Sequence, residues 1–238
     1  STLTNNENNT QPVPDPTSQF VITYDHNNHT VSEPVLLGVT GSPPGQSGPD
    51  THNGPAIVAD RQGYLHVVLG SHQKPFQYTK SISPNDATQW TPVVDFHNQF
   101  TDMETYVSLV IDHQNTLHLV SRMVEDNVYS LHYMSKESND NNWTDLGQII
   151  IPAPHHYSIW YHKLTIDRNQ NLFLAYFYYS HNLTCDELLM YCQKWPSEKV
   201  TKRRTNAHDP VILTSANGGT SWQIATTQHF YSGMRVNT

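Results

Sequence analysis

The chain has 238 residues, of which 36% are hydrophobic and only 14% are charged, and its formal net charge is −8 at neutral pH. This length allows a substantial buried core, and the negative charge does not fit a nucleic-acid-binding protein. No apolar run in the sequence reaches the length of a membrane span. We therefore expect a globular protein, acting as a monomer, whose partner is neither nucleic acid nor a membrane.

Residues 1–18 are polar and rich in Asn and Pro, which predicts a disordered tether ahead of one folded domain over residues 19–238. The opening ten residues resemble the start of a mature secreted protein, so we expect an extracellular or periplasmic location. Residues 20–24 and 35–39 are predicted strands joined by a polar turn. A Gly/Pro/Ser-rich loop over residues 41–53 then leads into the next element.

Two hairpins of the same design are predicted over residues 52–72 and 106–122. Each consists of an apolar run rich in β-branched residues, a polar turn, and a second apolar run. The midpoints of the two segments are Gln62 and Gln114, and each midpoint falls inside its polar turn. Both segments therefore have the symmetry of a two-stranded antiparallel pair.

The open ends of these hairpins carry the candidate catalytic residues. In an antiparallel pair, residues equidistant from the turn face each other. The register therefore predicts that His52 faces His72 and that Tyr106 faces Arg122. If the hairpins are neighbouring units of one architecture, two imidazoles, a phenol and a guanidinium meet at one rim. Such a set can combine acid/base chemistry with anion binding.

A repeat extends this design along the chain. The turns are marked by Asp60, Asp112 and Asp167, which are separated by 52 and 55 residues. Two further strand-like segments follow each of the first two hairpins. Four strands per unit at this period predict an all-β fold, a β-propeller of four-stranded antiparallel blades. The chain has room for about three and a half such blades. His66 and His118 occupy equivalent positions of the repeat, which favours an architectural role over a chemical one.

The third unit carries a turn motif and a long insertion. Five residues have the spacing of an Asp-box, with Asn in the place of Asp: Ser215, Asn217, Gly219, Ser221 and Trp222. The predicted insertion covers residues 181–210, with a short helix near residues 188–194.

Four residues with zinc-ligand side chains lie in this insertion: His181, Cys185, Cys192 and His208. Two cysteines do not make a disulfide framework, and a structural zinc ion would tether a loop with little core of its own. Free buried thiols and a disulfide remain the alternatives. No organic cofactor is expected.

The spacings of the two residue pairs, on repeats of this kind, resemble those of the propeller-type ulvan lyases. These are enzymes like those of polysaccharide lyase families 24 and 25, within a larger group of BNR-repeat proteins. The resemblance covers roughly residues 50–222. It implies a seven-bladed propeller that cleaves a sulfated algal polysaccharide at uronic acid residues, and this chain holds about half of such a ring.

The resemblance also implies roles for the candidate residues. β-Elimination removes the proton on C5 of a uronate and expels the group on C4. Arg122 would neutralise the carboxylate, and His52 and Tyr106 would be the base and the acid, in an order that the sequence leaves open. His72 would orient the substrate or share the role of base. Substrate-binding candidates are Asn53, Tyr161, His162 and Lys163, because Tyr161 precedes Asp167 by the same six residues that separate Tyr106 from Asp112.

Two other functions compete with a lyase. A sialidase-like glycoside hydrolase would use paired carboxylates, and the rim candidates are instead His, Tyr and Arg. A carbohydrate-binding propeller without catalysis would use the same aromatic and basic residues. The sequence favours a lyase acting on an anionic polysaccharide and leaves the binding protein open.

Overall fold

The computed structural model describes residues 17–41, 50, 52–96, 104–125, 128–150, 159–180, 206–226 and 228–229. All sixteen named elements in these ranges are β-strands, arranged in three four-stranded and two two-stranded antiparallel sheets. The predicted all-β fold of four-stranded blades is thus confirmed. Within these ranges, no helix has the length and apolar character needed to cross a membrane.

The three four-stranded sheets follow the predicted repeat, and we call them blades 1 to 3. Blade 1 contains β5 (Ala56–Ala59), β6 (Leu65–Leu69), β7 (Gln77–Lys80) and β8 (Val94–Asp95). Blade 2 contains β9 (Thr105–Ile111), β10 (Thr116–Glu125), β11 (Val128–Glu137) and β12 (Thr144–Ile150). Blade 3 contains β13 (Ile159–Ile166), β14 (Leu172–Ser180), β15 (Asn206–Ser215) and β16 (Gln223–Ile224). Strands follow one another in chain order within each blade.

A shorter sheet precedes blade 1, and we call it the leading sheet. It pairs β1 (Thr17–Val21) with β4 (Val35–Thr40), and a small hairpin of β2 (Tyr24–Asp25) and β3 (Thr30–Val31) connects them. Because β1 begins at Thr17, the end of the predicted tether is already part of a strand. The predicted insertion over residues 181–210 ends earlier than expected, because residues 206–210 already belong to β15, which pairs with β14.

Apolar side chains fill the interfaces between successive sheets. Adjacent residues of one strand point to opposite faces, so Val67 packs toward the leading sheet while Val68 packs toward blade 2. In the same way, Leu119 joins the cluster between blades 1 and 2, and Val120 joins the cluster between blades 2 and 3. A strand that is covered on both faces is mostly apolar. This explains the continuous apolar runs in the second strand of each repeat.

Each marker aspartate closes the turn that follows the first strand of its blade. Asp60 Oδ1 accepts hydrogen bonds from the backbone N–H of Gln62 at 3.0 Å and of Tyr64 at 2.8 Å. Asp112 and Asp167 accept from the equivalent residues of their own turns. The fourth turn residue takes the left-handed conformation, with φ of 90° at Gly63. The repeat in the sequence is therefore a repeat of turn chemistry.

The turns of neighbouring blades are hydrogen-bonded to one another along this rim, which we call the turn rim. The N–H of Arg61 in blade 1 donates to Asn115 Oδ1 in blade 2 at 2.9 Å, and its guanidinium donates to the carbonyl of His113 at 3.0 Å. His113 in turn donates its N–H to Gln170 Oε1 in blade 3 at 2.7 Å. The spacing of the blades is thus fixed at one rim by polar contacts.

The Asp-box turn forms with asparagine in the aspartate position. Asn217 Oδ1 accepts from the N–H of Ser221 at 3.0 Å, and Ser215 Oγ accepts from the N–H of Gly219 at 2.9 Å. The turn also joins two blades, because the hydroxyl of Tyr133 in blade 2 donates to the carbonyl of Gly218 at 2.7 Å.

Candidate active site

His52 and His72 lie at the rim opposite the turns, at the open end of the first hairpin. In β5 and β6, Ala56 pairs with Val68, so the register continues as expected toward these two histidines. Their rings stack with centroids 4.2 Å apart and an interplanar angle of 26°. The pair that the sequence predicted to face each other is therefore in contact.

A buried carboxylate that the sequence reasoning missed joins the two imidazoles. Asp50 Oδ1 lies 2.6 Å from His52 Nδ1 and 3.0 Å from its backbone N–H, and Asp50 Oδ2 lies 2.6 Å from His72 Nδ1. An ionised carboxylate only accepts hydrogen bonds, so both Nδ1 atoms carry the proton. A ring that is neutral in this tautomer has an unprotonated Nε2, which is the atom that a general base needs.

Asp50, His52 and His72 also have the side-chain types of a metal site. The two contacts of 2.6 Å, from the Asp50 carboxylate to His52 Nδ1 and His72 Nδ1, are hydrogen-bond distances. Ligand atoms on a tetrahedral zinc ion lie about 3.4 Å apart, whereas 2.6 Å is typical of a short charge-assisted hydrogen bond. We therefore interpret the three residues as a hydrogen-bonded acid/base unit.

The ionisation of His72 reflects two opposed effects. Burial lowers the pKa of His72 below its ordinary value, and the hydrogen bond and charge of Asp50 act in the opposite direction. The lowering prevails, so burial favours the neutral form of His72. The side chain of His52 is about one-third exposed, whereas the Asp50 carboxylate is fully buried. The unit thus presents one accessible imidazole backed by a second imidazole and an inaccessible charge.

Tyr106 belongs to this site, but its strand register differs from the prediction. A β-bulge shifts the pairing of β9 and β10, so Arg122 pairs with Thr105 and Tyr106 is the extra residue. Tyr106 has a φ of 57°, a left-handed conformation that is rare for an aromatic residue. Bulges of this kind redirect a side chain. Here the bulge brings the Tyr106 ring to 5.4 Å from the ring of His52, centroid to centroid.

Arg122 does not have the exposed position expected of a carboxylate clamp. Its side chain is completely buried, and the guanidinium carbon lies 4.7 Å from the centroid of the Tyr106 ring and 5.2 Å from that of Tyr129. A guanidinium stacks well between aromatic faces, where the ring quadrupoles stabilise its charge. The positive charge therefore lies behind Tyr106 and acts on the site through that residue.

The four expected substrate-binding residues have different environments. Tyr161 repeats the backbone of Tyr106, with a φ of 47° at a second bulge, and its half-exposed ring lies 5.2 Å from that of Tyr106. Lys163 is exposed on the same strand. His162 is buried instead, with Nε2 donating to the carbonyl of Val120 at 2.9 Å, and burial lowers its pKa to about 4. His162 is thus a structural residue in this arrangement rather than part of an open groove.

Asn53 is also buried, and it connects the site to the leading sheet. The side-chain amide of Gln19 in β1 donates to the carbonyls of Asn53 at 3.0 Å and Gly70 at 3.2 Å, and its oxygen accepts from the N–H of Gly70. Gln19 therefore links the two segments that carry His52 and His72. Through its backbone carbonyl, Asn53 helps to fix the position of its neighbour His52. Its own side chain is buried and does not face an open groove.

The predicted zinc ligands are not part of this geometry. His181, Cys185 and Cys192 lie outside the described residues, and for His208 only the backbone, in β15, is described.

Comparisons with known proteins agree with the repeat and the fold. The sequence model described as "BNR repeat-containing family member" matches residues 17–238. No curated protein matches the sequence. A solved PL25 ulvan lyase superposes with a TM-score of 0.64 at 16% identity, covering 87% of this chain and 50% of that one. A PL25 ulvan lyase bound to -[GlcA(1-4)Rha3S]- gives 0.60 at 14% identity, with the same coverage of 87% and 50%.

A third solved structure, polysaccharide lyase Uly1, superposes with a TM-score of 0.50 at 10% identity, covering 89% of this chain and 53% of that one. At these identities the likeness shows a shared fold. The chain spans about half the length of the solved lyases that it matches. Its blades thus correspond to part of the fold of these lyases.

Proposed function

Since the chain belongs to the BNR repeat-containing family, we propose that it is a polysaccharide lyase that cleaves an anionic, uronate-containing glycan by β-elimination. One observation carries this proposal: an imidazole backed by a buried carboxylate lies beside a phenol backed by a buried guanidinium. These are His52 with Asp50, and Tyr106 with Arg122. The two backing charges have opposite signs, and this assigns the two roles.

His52 is the general base in this proposal. Taking the C5 proton turns its imidazole into an imidazolium, and the negative charge of Asp50 at 2.6 Å stabilises that product. The electrons of the C–H bond then form the double bond between C4 and C5, while the bond from C4 to the leaving oxygen breaks. His72 keeps Asp50 in place through the second carboxylate oxygen.

Tyr106 is the general acid. Giving its proton to the leaving oxygen turns the phenol into a phenolate, and the guanidinium of Arg122 next to the ring stabilises that negative charge. The same positive charge favours the binding of a uronate carboxylate at the site, even though Arg122 is too buried to grip both of its oxygens. Tyr161 beside Tyr106 offers an exposed ring face to a sugar.

Ulvan is the proposed substrate because a solved ulvan lyase with this fold is bound to -[GlcA(1-4)Rha3S]-. A sulfated glycan of this type is extracellular, so secretion of the protein is part of the proposal. A structural zinc ion held by His181, Cys185, Cys192 and His208 is likewise proposed from their ligand types alone.

The proposal is tested by incubating the protein with ulvan and recording absorbance at roughly 235 nm, where an unsaturated uronate absorbs. We expect absorbance to rise together with the number of new chain ends. New reducing ends without absorbance would identify a hydrolase. Binding to immobilised ulvan with neither product would identify a non-catalytic propeller.

A further inference from the structure

A second cleft lies between blades 1 and 2, away from the candidate active site. Its volume is about 550 Å³, and its lining includes Tyr78, Lys80, Thr91, Lys136, Asp140 and Asn142. Lys80 pairs with His66 next to the turn of blade 1, so the cleft opens near the turn rim, whereas His52 lies at the opposite rim. The volume lies in the range of small-molecule sites.

Two ammonium groups face this cleft. Lys136 is only 4% exposed, its Nζ lies 4.9 Å from the centroid of the Tyr78 ring, and it donates to the carbonyl of Glu137 at 3.2 Å. Among the described residues, no carboxylate oxygen lies within 4.0 Å of Lys136 Nζ. Lys80 Nζ has one carboxylate nearby, Asp60 Oδ2 at 4.0 Å. A buried ammonium without a counter-charge is unfavourable.

The electrostatics agree with this geometry. Burial first, and then the charge of Lys80, lower the pKa of Lys136 to about 8, while Asp140 acts in the opposite direction. Lys136 therefore stays mainly protonated at neutral pH, although its surroundings disfavour the charge. An anion that enters the cleft would pair with the Lys136 ammonium and offset part of the cost of burying its charge.

We propose that this cleft is a second binding site, which takes an oxyanion group of a glycan, either a carboxylate or a sulfate ester. Lys136 and Lys80 would donate charge-assisted hydrogen bonds to its oxygens. The loop between β11 and β12 adds side-chain amides on one wall, from Asn139, Asn141 and Asn142, which suit the hydroxyl groups of a sugar. Such a site would hold a polysaccharide at the rim opposite the reaction, and it does not depend on catalysis.

A purely structural role for Lys136, as a cation over the Tyr78 ring, predicts no response to anions. The two roles are distinguished by residue-resolved NMR titration of the backbone amides. The probes are sodium sulfate, sodium glucuronate and neutral rhamnose, so the anionic group and the sugar are tested separately. With an anion, we expect saturable chemical-shift changes at the backbone amides of Lys136, Ser138 and the adjoining loop. With rhamnose, we expect none. A response to one anion alone identifies the group that the site takes.

Two variants complete the test. In Lys136→Met, which keeps the length of the side chain, we expect binding at this cleft to weaken by about tenfold or more. Arg168→Met is the matched control, since it removes an exposed cation from the same rim, and binding should be unchanged. The unaltered protein gives an independent readout, because the shifts should fade as the pH rises through about 8 and Lys136 loses its proton.

Shifts that are absent with both anions, that rhamnose reproduces, or that persist in Lys136→Met would overturn the second site. If Lys136→Met does not fold, shifts of unchanged size at high pH in the unaltered protein would overturn it equally. Because these shifts are read at the cleft itself, the result is independent of whether the protein cleaves ulvan.

Discussion

Thr105 pairs with His72 across the boundary between blades 1 and 2, as an isolated antiparallel bridge. The contact is reinforced by Gln73, whose N–H donates to the carbonyl of Glu104 at 2.8 Å. Thr105 also pairs with Arg122 inside blade 2. One residue therefore ties the histidine side of the site to its tyrosine and arginine side, through backbone contacts that do not depend on side-chain rotamers.

Replacing Asp50 with Asn should separate catalysis from folding. The amide keeps the shape of the carboxylate but loses the charge that fixes both Nδ1–H tautomers and stabilises an imidazolium. We expect kcat to fall by about 100-fold or more, with KM nearly unchanged. Asp86→Asn, in the loop between β7 and β8 of blade 1, is the control, and equal losses in both variants would contradict this role.

Replacing Tyr106 with Phe should abolish turnover while substrate binding is retained, because the ring stays and only the proton is lost. The matched control is Tyr161→Phe, a neighbouring tyrosine with the same left-handed backbone and a half-exposed ring. We expect this variant to keep most of its activity. Initial rates near about 235 nm and binding to immobilised ulvan measure the two properties. Full activity in Tyr106→Phe would refute Tyr106 as the acid.

Replacing Arg122 with Lys should lower stability as well as activity. Lysine keeps the charge but cannot stack as a plane between Tyr106 and Tyr129. Loss of this buried stacking should cost about 2 kcal/mol, which lowers the melting temperature by about 4–8 °C in a chain of this size. Thermal unfolding followed by circular dichroism measures the change. An unchanged melting temperature with lost activity would instead favour an accessible Arg122 that grips the substrate.

Acidification should destabilise the protein before its carboxylates titrate. Burial lowers the folded-state pKa of both His66 and His162 to about 4. Between about pH 6.5 and pH 4, these histidines are therefore protonated in the unfolded chain but stay neutral in the folded chain. The contribution of the two histidines to the free energy of unfolding is thus fully present above about pH 6.5, and it is lost as the pH drops toward about 4.

Each of these two histidines should contribute about 2 kcal/mol to the loss of unfolding free energy between about pH 7 and pH 5. Urea unfolding at the two pH values measures it. In His162→Gln, which keeps a donor for the carbonyl of Val120, the loss should shrink by that amount. Unchanged pH dependence in this variant would show that His162 does not titrate as described.

Zinc analysis tests the proposed tether. We expect about one zinc ion per chain in freshly purified protein, removable by a chelator, with a lower melting temperature after removal. Cys192→Ser should reduce the zinc content, and the active-site variants should not. Protein without zinc, whose melting temperature a chelator does not change, would contradict the site.

The sequence predicted the blades well because their signals are local. The aspartate turns and the paired apolar runs depend only on near neighbours, and the symmetry around Gln62 was enough to bring His52 opposite His72. The same symmetry argument was wrong by one residue at Tyr106. Its bulge needs a left-handed tyrosine, which no residue preference indicates, and only the surrounding packing can maintain it.

The other missed features depend on contacts between distant segments. Asp50 lies in a loop rich in Gly, Pro and Ser, and only its position two residues before His52 was a local signal. The burial of Arg122 depends on Tyr129 on the next strand, whose contribution has no signature in the sequence. Gln19 is a polar residue on the buried face of β1. Its purpose is visible only once the carbonyls of Asn53 and Gly70, which lie 34 and 51 residues further along the chain, meet its side-chain amide.

One backbone position recurs at the rim, six residues ahead of each marker aspartate, and it holds different side chains: Gly54, Tyr106 and Tyr161. A side chain added at Gly54 would meet no atom within 4 Å, whereas the two tyrosines form a continuous aromatic surface. At this position the rim therefore has no side chain on blade 1 and an aromatic side chain on each of blades 2 and 3. A glycan chain has two chemically distinct ends, so we expect a surface shaped in this way to bind the proposed substrate in a single direction.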